Sequence, residues 1–191
     1  MSTGSSVAWN MPNRLNFLTI VPMFHCNGWC YPWTIPMLNG RTVCLRNIDV
    51  KKIFELIDKY EVTHFGGAPI VLNMITGAPE TDRKKLKHKV YVLTAGAPPP
   101  SVIFKKMKAL GFEVMHVYGL TETYGHVTQC AWNDEWKDFD EDRLNEIKAR
   151  QGVRYPNTEG VTVLDPETMK EVPKDGKTIG EIMIRGNVVM K

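Results

Sequence analysis

The sequence lacks both kinds of segment that direct a chain to a membrane. It contains no run of about eighteen apolar residues, the length that a membrane-spanning helix needs, and no charged-then-apolar leader opens it. We therefore expect no transmembrane segment and a cytoplasmic location. A Gly-x-Ser-x-Gly nucleophile elbow is also missing, which disfavours an α/β hydrolase.

A strong charge of either sign is absent as well. The 24 Lys and Arg residues nearly balance the 21 Asp and Glu residues, and the net charge of +3 is too small to indicate a nucleic-acid partner. The densest basic run, residues 83–89, is most simply a solvated connection, with RNA binding as the disfavoured alternative. With 191 residues, 43% of them hydrophobic, the chain has the composition of a soluble globular protein.

Cysteines are few, and none of them forms a Cys-x-x-Cys pair. Cys26, Cys30, Cys44 and Cys130 lie among apolar residues, which favours buried free thiols in a reducing compartment over disulfides. His25, Cys26 and Cys30 would be the start of a metal site, but no second ligand pair stands at zinc spacing.

Short apolar runs alternate with segments of helical periodicity through the first two thirds of the chain. Such alternation indicates an α/β fold, a mostly parallel sheet covered by helices. Asp49 is the expected N-cap of one helix, and Pro32 and Pro36 should bend or divide another. The predicted strands are residues 17–21, 42–45, 62–65, 90–93 and 112–117, and the predicted helices are residues 28–38, 50–60, 69–77 and 101–110.

The alternation of predicted strands and helices ends after Cys130. Residues 132–151 are acidic and then helical, which indicates an excursion on the surface. From Val153 onward, short strands separated by glycine turns predict a small antiparallel sheet or barrel. We therefore divide the chain into an α/β unit, residues 1–131, and an excursion with the start of a β subdomain, residues 132–191.

The unusual residues all fall where predicted strands end. His25 follows the first strand, residues 66–69 (Gly-Gly-Ala-Pro) the third, residues 95–98 (Ala-Gly-Ala-Pro) the fourth and residues 118–122 the fifth. In open α/β sheets the carboxyl ends of the strands form the edge where ligands bind. The sequence therefore predicts one ligand site built by these four segments.

The stretch 116–125 carries the chemistry that this site would need. Gly119 is expected to let the backbone turn sharply, and Thr121 and Glu122 follow at once. The Tyr118 ring offers a surface for a base, the hydroxyl a phosphate contact and the carboxylate an oxygen ligand for Mg²⁺. The alternative is a polar turn with Tyr118 packed beneath it.

These segments together resemble the adenylate-forming (AMP-binding) superfamily of acyl-CoA synthetases, coumarate–CoA ligases and luciferases. Residues 22–25 (Pro-Met-Phe-His) match its proline–hydrophobic–Phe–His motif, and residues 118–122 match its Tyr-Gly-x-Thr-Glu motif. Residues 95–98 correspond to its adenine-pocket loop, and residues 180–190 match the segment leading into its barrel. The motifs stand in family order over most of the chain, and the carboxylate–CoA ligase branch is the most similar.

The resemblance implies a two-step reaction in which ATP and a carboxylic acid form an acyl-adenylate, from which the acyl group passes to CoA. It makes Thr121, Glu122 and His25 the expected catalytic residues, with Glu122 holding Mg²⁺. A histidine that only caps a strand end is the alternative for His25. The expected ATP/AMP site comprises Ala95, Gly96, Ala97, Pro98, Tyr118, Gly119, Leu120 and Thr121.

The same resemblance predicts the acyl pocket and the limits of the chain. A short- or medium-chain fatty acid or an aromatic acid would lie against His25, Trp29, Gly66, Gly67 and Gly119. The family's phosphate loop and catalytic lysine are missing, so we expect a central fragment of a longer ligase of fatty acid metabolism. The isolated fragment should be inactive and prone to self-association. A non-catalytic nucleotide-binding or partner-binding module of the same fold is the competing interpretation.

Overall fold

The structure, a computed structural model, describes residues 1–190. Its main sheet has seven strands and a second sheet has two. Seven α-helices are α1 (Ser2–Ala8), α2 (Cys26–Trp29), α3 (Tyr31–Met37), α4 (Val50–Tyr60), α5 (Pro69–Gly77), α6 (Ser101–Ala109) and α7 (Glu141–Lys148) within the described residues. The strands are β1 (Asn16–Thr19), β2 (Arg41–Cys44), β3 (His64–Gly66), β4 (Val90–Thr94), β5 (Phe112–Leu120), β6 (Gly125–Gln129), β7 (Val153–Arg154), β8 (Gly160–Leu164) and β9 (Glu181–Arg185).

The main sheet has the order β2-β1-β3-β4-β5-β6-β7. Its first five strands pair in parallel, while β6 and β7 add to β5 in antiparallel register. Strands β8 and β9 pair antiparallel with each other in the small second sheet. The predicted fold class is confirmed, and β6 and β7 are strands that the sequence did not predict.

Two apolar layers cover the main sheet because successive side chains of a strand point to opposite faces. Leu18 and Val92 belong to a buried cluster with α4, α5 and α6, whereas their neighbours Phe17 and Leu93 belong to a second cluster with α3. Full burial of a side chain such as Leu18 stabilises the fold by about 1.5–3 kcal/mol. Apolar packing therefore holds the sheet on both faces, and β2 and β7 form its two edges.

The helices begin and end for local reasons that the sequence predicts. The Asp49 carboxylate accepts a hydrogen bond of 2.7 Å from the Lys52 amide and caps α4. The segment predicted as one bent helix is divided at Cys30, whose φ of 67° is left-handed. Pro32 then lies in the first turn of α3, where a missing N–H costs nothing, and Pro36 lies inside that helix.

Gly119 does not turn the chain, contrary to the prediction. Strand β5 continues through Leu120, and the turn comes at the 3₁₀ helix Thr121–Thr123 and at Tyr124, which has a φ of 52°. A Cβ atom on Gly119 would lie 1.9 Å from the Gly125 carbonyl oxygen. Glycine is therefore required here by the close approach of β6, and not by a bend.

The predicted surface excursion packs on α6 through its helix α7. Lys105 and Lys108 of α6 lie 3.0 Å from Asp142 and 3.3 Å from Glu141, respectively. Each of these four side chains is about half exposed or more, so solvent screens both ion pairs strongly. These ion pairs orient α7 more than they stabilise it.

All four cysteines are free thiols, as predicted, but they are not all buried. Cys30 is buried, whereas Cys44 is exposed because β2 is the edge strand and only its third residue, Val43, faces the core. The prediction of burial is therefore wrong for Cys44. None of the helices in residues 1–190 is both long enough and apolar enough to cross a membrane.

Candidate functional site

Three of the four predicted segments meet at the carboxyl edge of the parallel strands, around a cavity of about 240 Å³ that residues 66–69 do not line. The ends of β4 and β5, the segment before α2 and the start of β6 contribute its walls. Eight residues predicted for the site line this cavity, namely His25, Trp29, Ala95, Gly96, Gly119, Leu120, Thr121 and Glu122.

Five other residues predicted for the site do not line the cavity. Ala97 and Pro98 are exposed on the loop beyond Gly96, and half-buried Tyr118 pairs with Thr128 of β6. The other two are Gly66 and Gly67. A Cβ atom on Gly66 would come within 3.0 Å of the Trp29 ring, and one on Gly67 within 3.3 Å of Val71. Gly66 thus packs against Trp29, which lines the cavity, and does not line the cavity itself. The roles predicted for all five residues stay predictions.

The cavity has an open mouth and a closed end. His25, Thr121 and Glu122 are exposed and stand at the mouth. At the closed end Trp29 and His126 are only 6% and 3% exposed. A ligand would therefore present its charged groups at the mouth and an uncharged part to these two rings.

Thr123 holds the turn that presents Thr121 and Glu122. Its buried hydroxyl accepts a hydrogen bond of 2.9 Å from the Leu120 amide and lies 2.8 Å from the Gly125 carbonyl oxygen, to which it donates. One side chain thereby closes the 3₁₀ turn from within. Sequence reasoning gave Thr123 no role, although a threonine beside the Thr-Glu pair could have suggested one.

The segment that contacts this turn, residues 26–30, has a strained backbone. Cys26, Trp29 and Cys30 have positive φ angles of 43°, 56° and 67°, which cost non-glycine residues about 1–2 kcal/mol each. The Cys26 thiol donates to the Thr121 hydroxyl at 3.7 Å, and the Cys30 thiol to the Tyr124 carbonyl oxygen at 3.5 Å. Burial raises the pKa of Cys30 to about 11, so this thiol stays protonated and remains a donor.

His126 is a residue of the cavity that the sequence did not reveal. Its imidazole lies between two other rings, with centroid distances of 5.6 Å to Trp29 and 5.8 Å to Tyr155. Burial lowers its pKa to about 4, so the ring is neutral at neutral pH. Gly125 and Cys26 complete the set of lining residues not predicted. The sequence places Gly125 at the end of the stretch 116–125 and His126 directly after it, and this position is their only sequence signal.

Three buried histidines give the fold a dependence on pH, and burial lowers the pKa of each, His116 included. Burial lowers the pKa of both His64 and His126 to about 4, below their ordinary value of 6.5. The unfolded chain therefore binds more protons below about pH 6.5, so stability is full above that pH and is lost as the pH falls towards 4. We expect urea unfolding to show a loss of about 2 kcal/mol for each of His64 and His126 between about pH 7.5 and pH 5.

A His64→Phe variant is the control for this expectation. The His64 ring stacks on Tyr91 and meets Trp9 edge-on, both at 5.0 Å, so a phenyl ring keeps the packing while removing the titration. The share of His64, about 2 kcal/mol between the two pH values, should disappear. An unchanged slope between the two pH values would show that His64 does not take part.

The mouth offers oxygen ligands suited to a magnesium ion that is shared with a bound ligand. Within residues 1–190 no three His, Cys, Asp or Glu side chains are grouped to hold a metal by themselves. Mg²⁺ commonly takes one or two carboxylates and completes its shell with water and phosphate oxygens. Glu122, exposed and without an ion pair in the described part of the chain, fits that pattern. The backbone of Glu122 is held in place by the Met190 amide, which donates a hydrogen bond of 2.7 Å to the Glu122 carbonyl oxygen.

A larger cavity lies elsewhere in the described chain. About 640 Å³ in volume, it is lined by the basic run 83–89 and by the start of β5. It therefore stands at the amino ends of β4 and β5, opposite the edge with the predicted site residues. Lys84 and Lys87 of the run pair with Asp58, and the run is an exposed connection, as predicted.

Comparison with known sequences gives this geometry a family context. A sequence profile described as AMP-binding enzyme matches residues 1–191. The chain is 50% identical to the peroxisomal acetate/butyrate–CoA ligase of Arabidopsis thaliana, over all of this chain and 34% of that protein. It is also 50% identical to an acetate–CoA ligase of Humulus lupulus, again over 34% of that protein. The chain thus spans about a third of the length of the curated relatives it matches.

Solved structures share the fold. The N-terminal domain of FACL13 from Mycobacterium tuberculosis superimposes with a TM-score of 0.79 at 24% identity, covering all of this chain and 44% of that one. The o-succinylbenzoate–CoA synthetase of Bacillus subtilis, in complex with its acyl-adenylate intermediate, gives a TM-score of 0.78 at 20% identity, over 36% of its chain.

Proposed function

Because the chain belongs to the AMP-binding enzyme family, we propose that the protein of which it forms a part is an AMP-forming acid–thiol ligase. Its substrates are a carboxylic acid, ATP and coenzyme A. The observation that carries this proposal is the meeting of His25, Gly96, Thr121 and Glu122 around one cavity at the carboxyl edge of the sheet. The names of the relatives, ligases of acetate, butyrate and 2-methylpropanoate, support a short acyl group.

The residues at the mouth have different roles in the first step, in which the carboxylate attacks the α-phosphate of ATP and pyrophosphate leaves. The Thr121 hydroxyl donates to a phosphate oxygen, and Thr123 holds the turn in place for that contact. His25 faces the incoming carboxylate from the opposite wall. Two anions must approach each other here, so alignment and positive charge supply most of the catalysis. A Mg²⁺ ion held by Glu122 would neutralise phosphate charge.

The adenylate part of the acyl-adenylate would lie at the edge of β4, and its acyl part would lie at the closed end of the cavity. Ala95 and Gly96 shape one wall with their backbone, and Gly96 has a φ of 97° with open space around its Cα. Trp29 closes the acyl side and limits the length of the acid. We also propose that Ala97, Pro98 and Tyr118 contact the adenine ring. Stacking of a base on an aromatic side chain contributes about 1–3 kcal/mol to binding.

The proposal extends to the setting of the protein. We place the reaction in fatty acid metabolism and keep the cytoplasm as the predicted location, although one relative is named as peroxisomal. The 191-residue chain alone should turn over no substrate and should associate with itself through exposed apolar side chains such as Phe24 and Trp33.

ATP–pyrophosphate exchange by the full-length protein tests this function. We expect exchange that depends on a carboxylic acid and on Mg²⁺, strongest with short acids and weaker as the chain grows past the space before Trp29. A calorimetric titration with AMP serves as the companion measurement. AMP binding without exchange for any acid would favour the competing interpretation, a nucleotide-binding module of the same fold.

A further inference from the structure

One residue at the closed end of the cavity, His126, carries a buried polar atom that lacks a partner. His126 is 3% exposed and lines the cavity, and its Nε2 atom receives or donates no hydrogen bond among the groups that the structure describes. A buried donor or acceptor without a partner costs about 1–3 kcal/mol. Such groups are rare in folded proteins and mark places where a ligand or an ordered water completes the structure.

The polar imidazole of His126 is surrounded mainly by aromatic rings and backbone. The Trp29 ring meets the imidazole edge-on on one side and the Tyr155 ring on another, with interplanar angles of 83° and 68°. The backbone of β5 lies alongside, because Gly119 pairs with His126 in the sheet. The closed end is thus formed by the Trp29 and His126 side chains and the glycine backbone of β5, and the Tyr155 ring packs against the imidazole without lining the cavity.

We propose that His126 makes this site selective for short carboxylic acids that carry a neutral hydrogen-bonding group, a hydroxyl or a carbonyl oxygen, at the end remote from the reacting carboxylate. The inference rests on the proposed function and adds a substrate class to it. The reacting carboxylate lies at the mouth near His25 and Thr121, and the remote end of the acid reaches His126.

The protonation state of His126 favours a neutral partner over a second carboxylate. Because burial lowers its pKa to about 4, the imidazole is uncharged at neutral pH, with one nitrogen donating and the other accepting. It therefore matches a hydroxyl or a carbonyl oxygen but cannot balance a buried anion. The size of the cavity, about 240 Å³, restricts the acid to a few carbons.

Pairs of acids of equal size test the proposal in the full-length protein. In ATP–pyrophosphate exchange, 3-hydroxypropanoate is compared with butanoate, and 4-hydroxybutanoate with pentanoate, so that a hydroxyl replaces a methyl group at the remote end. We expect kcat/KM to favour the better-fitting hydroxy acid by about 10- to 100-fold, since an acid lacking the hydroxyl leaves a buried polar group unpaired.

Two variants locate the preference. His126→Leu keeps an apolar side chain of similar bulk and should reduce the hydroxy preference to about one, mainly by lowering kcat/KM for the hydroxy acid. Tyr155→Phe is the matched control, because it removes a buried hydroxyl next to the same ring from a residue outside the cavity lining. The hydroxy preference should survive this change.

The outcomes separate the inference from the function on which it rests. Exchange with unsubstituted acids and no hydroxy preference in the unmodified protein would overturn the inference alone, even if His126→Leu fails to fold. A His126→Leu protein that loses activity equally with all acids would assign Nε2 to a structural water and would also overturn it. Absence of exchange with every acid would overturn the proposed function and the inference together.

Discussion

Glu122→Ala should lower the rate of adenylate formation by at least about 100-fold while changing AMP affinity by less than about 3-fold. Glu122 stands at the mouth of the cavity, exposed and free of ion pairs in the described part of the chain. Its carboxylate would act on the pyrophosphate part of ATP through Mg²⁺, and AMP lacks that part. The loss should therefore appear in ATP–pyrophosphate exchange and in the Mg²⁺ requirement, and hardly in a calorimetric titration with AMP.

Two further variants make this result specific. Glu122→Gln keeps the size of the side chain and removes its charge, so it should lose nearly as much activity as the alanine variant. Glu167→Ala removes another exposed carboxylate, on the turn after β8 and far from the lining residues, and should behave as the unmodified protein. Equal losses of adenylation and AMP binding in the Glu122 variants would speak against the metal role.

The helices and parallel strands were predictable because local chemistry and tertiary packing agree there. In α4 the Asp49 cap and the apolar positions Ile53, Phe54 and Ile57 all indicate the same helix, and all three side chains are buried. Strand β6 escaped prediction for the opposite reason. Its residues Gly-His-Val-Thr-Gln are all buried, so that polar side chains fill both faces and no apolar alternation remains.

The residues of the candidate site also fall into predictable and unpredictable ones. His25, Thr121 and Glu122 were predictable as a set because the carboxyl ends of parallel strands meet at one edge. His126 was not predictable, since a histidine on an unrecognised antiparallel strand carries no signal in a single sequence. Thr123 was missed because its hydroxyl acts on backbone atoms of its own turn, a contact that becomes visible only when the hairpin geometry is known.

Gly119→Ala should cost more than about 4 kcal/mol of stability, or prevent folding altogether. A Cβ atom there would lie 1.9 Å from the Gly125 carbonyl oxygen and 2.6 Å from its carbonyl carbon. Both are backbone atoms, so no side-chain rotation relieves the overlap, and β6 must move away from β5. For a domain of this size the expected fall in unfolding temperature is about 10 °C or more.

Gly77→Ala is the matched control for the same chemical change. Gly77 ends α5, and a Cβ atom there would meet nothing within 4 Å, so alanine should be neutral or stabilise by up to about 1 kcal/mol. Thermal unfolding followed by circular dichroism distinguishes the two variants. A Gly119→Ala protein that unfolds within about 2 °C of the unmodified one would contradict the close approach of β5 and β6.

The Gly119 variant also tests how far the site depends on that approach. Strand β5 delivers Thr121 and Glu122, and β6 delivers His126 to the closed end of the same cavity. Separating the two strands must therefore open the closed end and release the turn that Thr123 holds through Leu120 and Gly125. Any Gly119→Ala protein that still folds should lose adenylation and acid selectivity together, whereas Glu122→Ala loses the first and keeps the acid pocket intact. That contrast assigns glycine at position 119 to the architecture of the pocket, and the carboxylate at position 122 to its chemistry.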